Sequence, residues 1–211
     1  MSPIMLASQI PTRPVVTLDG EAIAQVKDVV IDGSTRSIAG FTLSGRGLLA
    51  GPLPQCLLWP DVHALGPDAV MVADTDVLTD ETVLAHPAEA RREVVPGAHV
   101  VSDAGVDWGE VRDLVIGRHG EVVGFKVTAT AALGHEQSTL FIPTHPEHPI
   151  SGDTVVVPEA AARFAVADLQ QFAASAADFH AGRPAVPAAR IPTGLTADPE
   201  HTHETKGRTA R

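Results

Sequence analysis

Several groups of residues in this 211-residue chain have side chains that could do chemistry if they were brought together. His145 and His148, with two residues between them in a proline-rich stretch and Glu147 and Asp153 close by, are the ingredients of a metal-assisted or hydrolytic centre. His201-Thr202-His203-Glu204 offers further ligands near the C-terminus. A zinc site needs three or four ligands held by supporting contacts, and a two-histidine loop and a polar tail do not supply them. The single cysteine, Cys56, permits no internal disulfide and no CxxC pair. No base lies within residues 54–60 to make its thiolate, so it reads as a small half-buried hydrophobe. Gly45-Arg46-Gly47-Leu48-Leu49-Ala50-Gly51 has the glycines of a phosphate loop, but it lacks the Lys-Ser/Thr pair and a following helix. No serine elbow, HExxH or kinase set is present. The expectation is a chain with no catalytic, cofactor-binding or metal-binding residues.

The elements that would position such groups come in two similar sets. With a shift of 85, Val15-Val16 meets Val100-Val101 and Gly20 meets Gly105. Val26-Lys27-Asp28-Val29-Val30-Ile31 meets Val111-Arg112-Asp113-Leu114-Val115-Ile116. After the loss of one residue, Gly40-Phe41 meets Gly124-Phe125, and Asp68–Val72 meets Asp153–Val157 in turn. Apolar and β-branched runs between turn residues predict strands at 14–18, 24–32, 37–44, 55–59 and 68–73, then at 98–102, 110–117, 122–129, 140–142 and 154–157. Gly20 and Gly105 suit tight turns with positive φ. Gly40 and Gly124 fall inside strands, where glycine marks a bulge or a close backbone approach. Asp28 and Asp113 are acids within apolar strands, and no second titratable group is repeated in register with them. They read as scaffold, accepting backbone N–H bonds at a bulge or pairing with Lys27 and Arg112.

Composition agrees with short strands: 18 glycines and 17 prolines exceed the roughly 12% share usual for the two together. A net charge of −11 without a basic cluster speaks against free nucleic acid as a partner. The apolar runs are strand-sized, so no membrane insertion is expected, and residues 1–10 lack the pattern of a signal peptide. A cytoplasmic location follows as the expectation.

Residues 13–32, from Arg13-Pro14-Val15-Val16-Thr17-Leu18-Asp19-Gly20 to Val26-Lys27-Asp28-Val29-Val30-Ile31-Asp32, carry a family resemblance. It extends through Ile38-Ala39-Gly40-Phe41, Leu57-Leu58-Trp59-Pro60-Asp61-Val62 and Gly66-Pro67-Asp68-Ala69-Val70. The arrangement resembles the PRC-barrel family, named for the cytoplasmic domain of the photosynthetic reaction-centre H subunit. Asp107-Trp108-Gly109-Glu110-Val111-Arg112-Asp113 fits a second copy. The resemblance implies a mainly β fold of two tandem small antiparallel barrels. It also implies a non-catalytic module that binds protein partners. The expected divisions are barrel 1 at 1–80, a linker at 81–91, barrel 2 at 92–158, an amphipathic helix at 159–181 and a disordered tail at 182–211.

Ala165, Leu169, Phe172, Ala176 and Phe179 recur at helical spacing. They form a face that covers the second barrel in cis or, with Leu169, Phe172 and Phe179 as anchors, docks a partner or a second copy. A monomer acting as a pseudo-dimer within one chain, or a homodimer, is therefore expected. The alternative functions are a small-ligand or metal-binding sensor, and a hydrolase using the His145/His148 loop.

Overall fold

Along Pro14–Thr17 (β2) Val15 and Thr17 are buried while their neighbours are half-buried, the two-residue period of a strand with one face on a core. The same physics sets Ala22–Asp32 (β3), which is rich in β-branched residues, and the largely buried Ser37–Ser44 (β4). The computed structural model describes residues 4–47, 50–84, 96–134, 138–145, 150–151 and 153–182. His148, Glu147, residues 85–91 of the expected linker and the tail beyond 182 lie outside the described residues.

The fold is mostly β, in two sheets. Pro52–Leu58 (β5), Val62–Leu65 (β6), Val70–Val72 (β7) and Leu78–Asp80 (β8) complete the first, in the order β6-β7-β2-β3-β4-β5-β8. His99–Ser102 (β9), Asp107–Ile116 (β10), Val122–Ala129 (β11), Thr139–Pro143 (β12), Ile150–Ser151 (β13) and Thr154–Val157 (β14) form the second, in the order β12-β11-β10-β9-β14-β13. Every strand expected from sequence is present, with ends shifted by a few residues.

Each sheet is antiparallel except for one pair. β2 runs parallel to β7 with Val15 opposite Val70, and β9 runs parallel to β14 with Val100 opposite Val155. The register slips between Val26 and Asp28 in β3 and between Val111 and Asp113 in β10. These are β-bulges, and each strand bends there. The valine pairs and the bulges are related by one offset of 85 residues. A single apolar cluster runs through both sheets, from Val15, Val26, Phe41 and Leu57 to Val111, Phe125, Ile142 and Val157.

Four strands have no counterpart in the expected set. Met5–Leu6 (β1) belongs to the second sheet: it pairs with β10, Met5 opposite Ile116 and Leu6 opposite Val115. Residues placed by sequence in the first unit are thus hydrogen-bonded into the second. β6, β8 and β13 are the other three. Just past β8, at the start of the expected linker, Leu84 is buried against Val30 and Cys56.

The C-terminal helix is shorter than its expected span of 159–181. Glu159–Phe164 is a 3-10 stretch, the chain then extends, and the α-helix (α1) occupies Leu169–Gly182. The break has a clear cause. Val166 and Phe141 exchange both backbone hydrogen bonds, at 3.1 and 2.7 Å, and this edge pairing overrides the helix propensity of the alanines. The helix restarts at Asp168, whose carboxylate accepts the Gln170 N–H at 2.8 Å, an N-cap.

Candidate functional site

The outer face of the second sheet gathers the residues singled out from sequence. Phe172 and Ala176 of α1 pack there with Val115, Phe141 and Leu6 of β1, while Leu169 lies at the rim of the same cluster. Phe179 turns into the main core, its ring 5.5 Å from that of Phe164. Phe172 is 0% exposed and Phe179 4% exposed. Phe172 and Phe179 of the expected docking face are thus buried within this chain, Phe172 filling an apolar seat above a glycine, while Leu169 is half-buried.

Gly124 makes that seat. A Cβ there would stand 2.4 Å from Cζ of Phe172 and 2.5 Å from the Ile142 carbonyl oxygen. Gly40, its counterpart, lies under Leu84 and the Leu57 carbonyl oxygen, at 3.0 and 2.5 Å from the same imagined atom. Both are close approaches, as the in-strand glycines implied. Gly20 and Gly105 have φ of 95° and 81° and sit in the turns that lead into β3 and β10.

The two repeated acids have different partners. Asp28 faces Thr42, whose hydroxyl oxygen accepts the Asp28 N–H at 3.1 Å, and the Lys27 ammonium stands 3.9 Å away. Asp113 is 8% exposed. Its carboxylate accepts the Leu114 N–H at 2.8 Å, the Ser8 N–H at 3.2 Å and the Ser8 hydroxyl. Arg112 is not its partner, since that guanidinium reaches Glu110 at 3.1 Å and the Thr128 hydroxyl at 2.7 Å. Both acids sit at bulges, as their place in apolar strands implied. The partner of Asp113 lies 105 residues away, beyond the reach of sequence reasoning.

One further group carried no sequence signal. Arg36, in the β3–β4 turn with φ of 54°, is only 3% exposed. It crosses to the second sheet, donating to the Thr144 hydroxyl at 3.1 Å and to the His145 carbonyl, with its guanidinium 6.0 Å from the centre of the Phe125 ring. Burial pulls its pKa down to about 10. Backbone bonds seal the junction: Ile38 N–H to Gly120 O and Val122 N–H to Arg36 O, both 2.8 Å. The His145 ring meets not another ligand set but His180 of α1, with centres 5.8 Å apart. His180 Nε2 lies 3.1 Å from the Thr144 carbonyl. Among the described residues no group of three His, Cys, Asp or Glu is arranged to hold a metal ion, and no helix is long and apolar enough to cross a membrane. Cys56 is fully buried, and burial is the main cause that pushes its thiol pKa up.

Two mostly antiparallel sheets around a shared core, each with a bulged central strand, define a mostly β fold in which one sheet curls into a half-barrel. Residues 3–78, from just before β1 to the first residue of β8, match the PRC-barrel domain, and the chain carries such a domain there. No curated protein matches the chain.

Proposed function

We propose that the protein is a non-catalytic adaptor: a tandem PRC-barrel scaffold, similar to the reaction-centre H subunit cytoplasmic domain, that binds protein partners in the cytoplasm. The second barrel occupies 92–158, and the common 85-residue offset of valine pairs and bulges supports this. The chain works as a pseudo-dimer, with α1 covering the second barrel in cis.

The observation that carries the reading is the use made of the six residues repeated between the halves. Gly20 and Gly105 turn the chain, Gly40 and Gly124 admit Leu84 and Phe172, and Asp28 and Asp113 join segments at bulges. Residues repeated for such contacts serve a platform rather than a reaction, and a platform's function lies in what its surface holds.

The test is recovery of partners on the tagged full chain, followed by reassembly from purified components. Stoichiometric reassembly with a defined protein supports the proposal. A chain that reassembles with nothing and turns over a defined small molecule overturns it.

A further inference from the structure

We propose that the edge of β10 held by β1 is a strand-addition site for a partner protein. The segment it accepts is extended, with two consecutive aliphatic side chains and a serine or threonine two positions after the second. This inference rests on the adaptor reading and names the chemistry of the partner.

The site is read from its present occupant. β11 pairs along one edge of β10 from Gly109 to Ile116, whereas β9 covers only Asp107–Glu110 on the other. At the far end of that edge Val115 and Ile116 are paired with Leu6 and Met5. Three anchors hold them. Met5 enters the main core near Ile116, and Leu6 joins Val115, Phe141, Phe172 and Ala176 on the outer face. Ser8 gives its N–H and its hydroxyl to Asp113. The Gln9 side chain closes the turn by accepting the Leu6 N–H at 3.1 Å.

This is the chemistry of peptide recognition by β-addition, with main-chain bonds for affinity and side-chain seats for selection. The occupant is paired through two residues, and β10 is the one strand it pairs with among the described residues. It can leave without opening any other strand pair. When it leaves, the β10 backbone groups, the Asp113 carboxylate and the seat beside Phe172 stay in place for a segment of matching pattern. The tethered segment competes at an effective concentration on the order of millimolar, so it acts as a built-in competitor that sets a threshold for the partner.

The experiment uses the full chain and a fluorescein-labelled peptide of residues 2–10, followed by fluorescence anisotropy. Weakening the resident segment with Leu6→Ser and Ser8→Ala is expected to raise peptide affinity at least tenfold over wild type. Adding Asp113→Ala is expected to remove that gain. If the double variant is unfolded by circular dichroism, Ser8→Ala alone serves, read by slowed amide exchange at Val115 and Ile116 under excess peptide. A folded variant that gains no affinity overturns the proposal, as does a gain that survives Asp113→Ala. A wild-type dimer in light scattering that Ser8→Ala dissolves also overturns it, assigning the edge to a second copy. None of these outcomes depends on recovering a native partner, so they separate this site from the adaptor role.

Discussion

Replacing Gly124 by alanine tests the packing logic of the second sheet at its tightest point. The new methyl would lie 2.4 Å from the Phe172 ring and 2.5 Å from the Ile142 carbonyl oxygen. The carbonyl belongs to β12, which is paired residue by residue with β11 around this position, so it cannot retreat without loosening the ladder. The ring can retreat only by lifting α1. Overpacking of a filled core costs about 1–3 kcal/mol, and two unyielding neighbours place this variant near ~3 kcal/mol. For a chain of this size, that lowers the melting temperature by about 6–12 °C, measured by circular dichroism or calorimetry. A double-mutant cycle isolates the cause. Phe172→Ala alone costs about 3–5 kcal/mol, but in its background the penalty of Gly124→Ala should shrink by at least ~1 kcal/mol, since half of the conflict is gone. Equal penalties in the two backgrounds, within ~0.5 kcal/mol, would refute the claim that helix and glycine are fitted to each other. Gly40→Ala is the internal control: its methyl meets the Leu57 carbonyl oxygen at the same 2.5 Å, but the end of the Leu84 side chain can move aside, so a smaller loss of about 2 kcal/mol is expected.

Arg36→Ala is expected to cost about 2 kcal/mol, because it removes donors from the buried Thr144 hydroxyl and the His145 carbonyl; urea unfolding measures it. Asp113→Ala should cost a similar ~2 kcal/mol by leaving the Ser8 and Leu114 donors without their acceptor, and hydrogen exchange at Leu6 and Val115 should accelerate. Cys56 should resist a thiol reagent in the folded protein and react once the chain is unfolded in urea, since burial both shields its thiol and pushes its pKa up. The Asp32 carboxyl is held below the usual range, chiefly by the Ser34 hydroxyl. Its contribution to stability is present above the unfolded-state pKa near 4 and fades as pH falls through the lower folded value. Carbon-detected titration should place Asp32 lower in wild type than in Ser34→Ala.

The long strands were legible because their side chains alone specify them. Val26–Ile31 and Val111–Ile116 are apolar, β-branched and bounded by turn residues, and the offset between them carried the pairing scheme. For the acids within apolar strands a bulge was one of two readings, the other being a pair with Lys27 or Arg112, and both acids stand at register slips. What could not be read was whatever a distant segment creates. Val62-His63-Ala64-Leu65 becomes a strand because β7 lies beside it, and Met5-Leu6 because β10 does. In the same way, the alanine-rich stretch at 160–165 yields its helix to the Phe141 edge. Arg36 looked like any polar turn residue, since nothing within the β3–β4 turn reports that Thr144 and Phe125 will enclose it.

The pairing of Leu6 with Val115 also imposes an order on synthesis. The first sheet draws its described strands from Pro14 to Asp80, so it can assemble while the second is still being translated. Leu6 must then wait for Val115, an interval of about 5–20 s at common elongation rates. During that time Met5 and Leu6 have no strand to pair with. Until Val115 emerges, two apolar side chains that end buried are left without their seat.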